Sequence, residues 1–328
     1  MIAALLGRKS TSATRAQLGF QWASIVLAVT AILGIYLTPR WIESSRLSVI
    51  DLATGSSEKS SYFQLGQSLT ESLRSRTGKL VKVHLSEGAV ESHDRLLTGE
   101  VDFAFLQANA LDSARLKVLA PLYPEAVLIV LRKGESARSI QELKGKHIAL
   151  GTGGSGMRLS SRKLLKFYRL SESDLLDVNH TFADFAADEE GFLDGAIVTI
   201  KQDNPTLVSL LKTGNYRILK LSNIDKIPDF RPIRLSDELI QQLPSGVVPE
   251  GGRLVPATFA ILAVRAATAD RYVVDLLEAL YAEDGLSQQE DDVMSLDEAA
   301  EWQHLTYHEA SSRFFSQARQ RMKSSASP

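Results

Sequence analysis

Along the chain, short apolar runs alternate with stretches whose apolar residues recur every three or four positions. Uninterrupted or period-two runs suit strands and the 3.6 period suits helices, so the alternation predicts βαβ units and a parallel α/β architecture. Residues 47–52 read as a strand, 56–61 as a polar loop, and 62–76 as a helix through Phe63, Leu65, Leu69 and Leu73. A second unit follows: a strand at 80–85, a short helix at 89–97, and a strand at 101–106 ending on Gln107. Residues 119–132 hold two proline-punctuated turns before an apolar run at 126–131, after which the pattern restarts as for a second lobe. There, 140–146 predicts a helix and turn, 147–150 a strand, 151–156 a glycine-rich loop and 157–168 a basic amphipathic helix. Further strands are expected at 178–182, 195–200 and 216–221. The irregular stretch 225–252 is the expected return crossing, and an apolar run at 254–264 and a helix at 269–281 precede a polar end.

The N-terminal pattern is different. Between Arg15 and Arg40 lies a charge-free window of about two dozen residues, long enough to cross a bilayer. Trp22, Tyr36 and Trp41 stand at or near its ends, and Arg8, Lys9 and Arg15 precede it, which orients the remainder outside the cytoplasm. The exit from the window lacks a small-x-small site, so it reads as an uncleaved anchor rather than a signal peptide. The expected division is therefore a cytoplasmic N-terminus (1–19), a transmembrane anchor (20–39), lobe one (47–130 plus 226–328) and lobe two (131–225).

Composition narrows function without naming it. The 328 residues carry a net charge of -2, which argues against a basic nucleic-acid surface, and no cysteine, which excludes thiolate catalysis and disulfides. Two loops share one device, a strand entering a small-residue loop that opens a helix: Ala53-Thr-Gly-Ser-Ser-Glu-Lys-Ser-Ser-Tyr62 and Gly151-Thr-Gly-Gly-Ser-Gly156. Exposed N–H groups and the positive helix end make such loops anion cradles.

Enzyme readings fit less well. Gly151, Gly153 and Gly156 match a dinucleotide fingerprint, but Asp174 and Asp177 fall before the next predicted strand, not at its end where a ribose-binding acid belongs. No phosphate-loop lysine follows the glycines, and Met157 occupies the second glycine position of a nucleophile elbow. His304 and His308 have ligand-like spacing with Glu301 nearby, which an exposed helical face explains better than a metal site. The acidic run 188–190 and the basic stretch 313–323 read as solvated faces. No cofactor or metal is expected.

The order of these segments resembles the TAXI family of solute receptors, associated with TRAP transporters. Thr54-Gly-Ser-Ser with Ser61-Tyr62-Phe63-Gln-Leu-Gly66 is similar to the family's first loop and helix start, and the segment from Glu87 to Gln107 to its most specific motif. Leu143-Lys-Gly-Lys-His-Ile-Ala-Leu with the second loop, Asn204-Pro205 and His308-Glu-Ala continue the likeness over roughly 47–316. The resemblance implies a two-lobed type II periplasmic-binding-protein fold, no catalysis, and ligands such as glutamate or 2-oxo dicarboxylates. It also implies a site in which Thr54, Gly55, Ser56, Ser57, Tyr62 and Gln107 from lobe one meet Thr152, Gly153, Gly154, Ser155 and Met157 from lobe two. Two departures stand out. Glu87 occupies a position the family gives to glycine, which makes an acidic ligand less welcome, and Lys201 could compensate it or touch the ligand. The expected partners are a small carboxylated solute, TRAP membrane subunits and the bilayer. A ligand-sensing or scaffold module with a membrane partner is the alternative.

Overall fold

Residues 49–58, 60–111, 114–290 and 293–325 are described by a computed structural model of the chain. The expected N-terminus and anchor, 1–39, lie outside them. Among the described residues no helix is long and apolar enough to cross a membrane. Ile50–Pro328 makes a compact unit of its own.

Its first half builds β1 (Val49–Ala53), α1 (Ser61–Thr77), β2 (Leu80–His84), α2 (Ala89–Thr98) and β3 (Phe103–Gln107). Helix α1 starts where Ser60 accepts the Phe63 N–H and stops at Gly78, whose φ of 70° is cheap only for glycine. Strand β4 (Leu116–Arg132) leads into β5 (Ile148–Ala149), α3 (Gly156–Phe167), α4 (Phe182–Ala187), β6 (Gly195–Ile200), α5 (Pro205–Lys212) and β7 (Tyr216–Ile218). The return comprises β8 (Arg231–Arg234), α6 (Asp237–Gln241) and β9 (Leu254–Arg265), and the chain ends with α7 (Asp270–Tyr281), α8 (Leu296–Glu301) and α9 (Glu309–Ser325).

These strands form one sheet in the order β2-β1-β3-β9-β4-β6-β5, with β7 on β4 and β8 on β9. The expected parallel pairing holds for β1–β3 and β5–β6, but β4 and β9 run antiparallel to their neighbours, so the sheet is mixed. The turns expected within 119–132 do not break β4. Its ladder with β9 instead shifts register between Val118 and Ala120 and between Pro121 and Tyr123, so the donor missing at Pro121 falls in an irregularity.

Burial along β4 explains how one strand serves two cores. Leu116 and Val118 join Leu96, Leu106, Phe259 and Ile261 in the first half. Further on, Ala126, Leu128 and Val130 pack on one face, with Leu207 and Leu211, while Val127, Ile129 and Leu131 pack on the other, with Leu164 and Leu165. A strand covered on both faces needs an unbroken apolar run, which is what 126–131 supplies. The segment 226–255, placed in lobe one from sequence, buries Ile227, Phe230, Leu235, Leu239 and Val247 in these second-half clusters. Pairing of β8 with the start of β9 brings it there, beside Ala126 of β4.

No strand forms at 178–182. The chain there runs beside β5 through Leu150 N–H to Val178 O (3.2 Å) and Gly151 N–H to His180 O (2.8 Å), before Thr181 and Asp184 cap α4 reciprocally. His304 and His308 do not share an exposed helix face. His308 is buried just before α9 and bonds Thr268 O (3.0 Å), and His304 packs on Trp302 and Phe259. Among the described residues no group of three His, Cys, Asp or Glu side chains could hold a metal. Asp188 is not a solvated face either: its carboxylate accepts the Leu193 N–H (2.7 Å) and pairs with Arg132 (2.9 Å).

Candidate ligand-binding site

Where β1, β2 and β3 end and β5 meets α3, the chain encloses a cleft of about 250 Å³. Thr54, Gly55, Ser56, Ser60, Tyr62, Glu87, Gly88, Ala89, Phe105, Gln107 and Glu125 line it from the first half and from β4. Gly151, Thr152, Ser155, Gly156, Met157 and Thr181 close it from the second half. Nine of the thirteen residues singled out from sequence are therefore together. Ser57, Gly153 and Gly154 lie beside the lining, and Lys201 lies elsewhere, in a separate concavity with Pro205, Lys212 and Glu238. The Lys201 ammonium stands 5.4 Å over the Tyr123 ring and 3.1 Å from Asp203.

Three helices, α1, α2 and α3, present their N-termini here. Ser60 and Ser155 cap α1 and α3 by accepting the Phe63 and Arg158 N–H groups, and their own protons go to Ser57 O (2.7 Å) and Thr152 O (2.8 Å). Helix α2 has no side-chain cap. Its Val90 N–H donates across the cleft to Gly154 O at 3.2 Å. That contact needs glycine at 88, because a Cβ there would stand 2.8 Å from Gly154 O, and φ is 143°. Gly156 is equally constrained: a Cβ would meet Gln107 Oε1 at 2.4 Å. Thr54 is buried, its hydroxyl bonded to His84 O (3.1 Å), so it shapes the first loop from behind.

The second loop is held by Arg158, buried on α3. Its guanidinium donates to Gly151 O (2.9 Å), Val178 O (2.9 Å), Asn179 Oδ1 (2.8 Å) and Glu172 Oε2 (2.8 Å). Hydrogen bonds from Arg158 and Arg162 hold the Glu172 carboxyl down at about 2. The 157–168 helix thus uses one of its basic residues inward, where amphipathic spacing suggests only a solvated face.

Glu125 is the residue that sequence reading missed. On β4, behind the cleft, it accepts Gln107 Nε2 at 2.9 Å and the Tyr62 hydroxyl at 3.4 Å, both on Oε2. Burial, opposed by those two hydrogen bonds, pushes its carboxyl up to about 7. The Tyr62 hydroxyl is raised too, by burial and by Glu125, while its ring lies 5.7 Å from Phe105. Gln107 is fixed from the far side, its Oε1 accepting Ser160 Oγ at 3.3 Å, and Ser160 accepts Asn109 Nδ2 at 2.9 Å. The one available signal was a lone glutamate, beside Pro124, in an otherwise apolar strand run. Among the described residues the lining has two carboxylates and two aromatic rings but no lysine or arginine.

Two halves joined through β4 and β9, with a cleft between strand ends and helix N-termini, define the periplasmic-binding-protein fold. One solved structure shares this fold, and two others show a weaker likeness. PhnD1 of Prochlorococcus marinus, in complex with methylphosphonate, matches at TM-score 0.50 and 11% identity over 79% of this chain and 91% of that one. The periplasmic aliphatic sulphonate binding protein SsuA of Escherichia coli matches at TM-score 0.38 and 20% identity, over 52% of this chain and only 60% of that one. The periplasmic VFT2 domain of BvgS from Bordetella pertussis matches at TM-score 0.47 and 17% identity, over 76% and 94%. Residues 52–318 match the NMT1-like family, and the chain belongs to that family. The family rests on that sequence match, and the fold on the likeness to PhnD1.

Proposed function

We propose that this protein is a membrane-anchored extracytoplasmic receptor that captures a small carboxylated solute, of the amino-acid or 2-oxo-acid class, for a TRAP-type transporter. The observation that carries the reading is the cleft itself, where two small-residue loops and three helix N-termini converge on one space. A carboxylate is held there by N–H groups and the positive helix ends, with Ser56 and Thr152 on either side. Capture proceeds by closure of the two halves about β4 and β9, where the register shifts allow bending. The charge-free window at 20–39 supports the tether, and the ordered motifs from Glu87 to Gln107 support the TAXI assignment and so the TRAP partner.

Thermal unfolding of the full-length chain in mild detergent tests the reading. A ligand at a hundred times its Kd stabilises by about 2.7 kcal/mol, so at least one amino acid or 2-oxo acid at millimolar concentration should raise the Tm by several degrees. No shift across both classes would remove solute capture and leave the sensing or scaffold module.

A further inference from the structure

We propose that Glu125, with Tyr62 and Phe105, forms an ammonium subsite, so that the captured solute is an amine-bearing zwitterion rather than a 2-oxo acid. This rests on the solute-capture reading and narrows it. Glu125 is nine-tenths buried yet lines the cleft, and both of its hydrogen bonds land on Oε2. Its other oxygen carries neither of them, so the carboxyl keeps acceptor capacity for a ligand donor. Tyr62 and Phe105 stand beside it on the same wall, and an ammonium is attracted by aromatic faces as well as by a carboxylate. A second carboxylate, Glu87, enters at the rim.

A 2-oxo acid would bring only negative charge and carbonyl acceptors to this wall, and each would face a carboxylate. An α-amino acid divides its charges to match: its carboxylate goes to the helix N-termini and its ammonium to Glu125. The Gln107–Ser160–Asn109 chain fixes the Gln107 amide that orients Glu125.

Proton linkage distinguishes the two ligand classes. Burial pushes the carboxyl of Glu125 up to about 7. Among the described residues, the ionisable groups nearest it are Tyr62 of α1, Tyr123 of its own strand and Glu87 of the β2–α2 loop, with Lys201, just after β6, over the far Tyr123 ring. An ammonium ligand needs the ionised form, so its affinity falls roughly tenfold for each pH unit below about 7 and levels off above. For a 2-oxo acid the sign reverses.

Equilibrium dialysis of the full-length chain in detergent, with radiolabelled L-alanine, pyruvate, L-glutamate and 2-oxoglutarate between pH 5.5 and 8.5, tests this. Each amino acid should bind at least tenfold more tightly than its oxo partner, with affinity rising with pH. Glu125→Gln should abolish both the preference and the pH dependence while leaving the Tm within a few degrees. Equal or tighter binding of the oxo acids overturns the ammonium subsite and leaves solute capture standing. Absence of binding by all four overturns both. A preference that survives in Glu125→Gln moves recognition of the amine elsewhere and also overturns the proposal.

Discussion

Glu125 shows how a single position couples charge, burial and function. A carboxyl whose pKa rises on folding from its ordinary value of 4.5 to about 7 loses stability as pH rises between those values, because the folded state must give up a proton the unfolded chain has already lost. The wild-type chain without ligand should therefore weaken in urea titrations from pH 5 to pH 7, and Glu125→Gln should flatten that slope. A slope unchanged in the variant would place the titration elsewhere. Gly88 makes the complementary case. Adding a methyl group at φ 143°, 2.8 Å from a carbonyl, should cost about 1–3 kcal/mol and weaken ligand binding as well, since the strained contact spans the cleft. A Gly88→Ala chain with unchanged denaturation midpoint and affinity would contradict this. Both residues were hard to read from sequence. Glu125 belongs to no motif, and the need for glycine at 88 comes from Gly154, 66 positions further on.

Elements were more legible where they owe their form to local signals. Helix α1, with Ser60 at one end and Gly78 at the other, was read to within a residue or two, because cap chemistry and the Leu65, Leu69, Leu73 spacing act within the segment. The first half of strand β4 was read as two turns before the apolar run at 126–131, since only its partner β9 shows how the register shift at Pro121 tolerates the missing donor. The stretch 178–182 has a strand's composition, but the Thr181–Asp184 capping box turns its end into helix. Arg158 belongs to this scale because it ties α3 to the loop that α3 follows. Arg158→Ala leaves Glu172 to Arg162 alone and frees the Gly151 and Val178 carbonyls, which should destabilise the chain by about 1–3 kcal/mol. Glu172, held near 2, contributes stability that is present above about 4.5 and lost as pH falls towards 2. Acid titration of unfolding should therefore show a steeper loss in the wild type than in Glu172→Gln, and identical acid limbs would rule the ion pair out as a source of stability.

At the scale of the molecule, the α/β alternation was legible in the pattern, while the mixed sheet depended on the β3–β9 and β4–β9 pairings between residues over a hundred positions apart. The candidate cleft was legible to the extent that its loops carry glycine and serine at helix starts. The wall opposite them came from β4, and only the fold brings it there. The tether is tested by the mass of the chain recovered from membranes: the full-length mass is expected, and a mature chain beginning after residue 35 would exclude the anchor. The central claim is capture of a small solute in the cleft, and calorimetric titration of the full-length chain in detergent against a panel of amino acids and 2-oxo acids tests it most directly. The account predicts saturable heat at one site per chain for at least one member, lost when Gly156→Gln fills the cleft. Silence across the panel, or heat that survives this substitution, would contradict it.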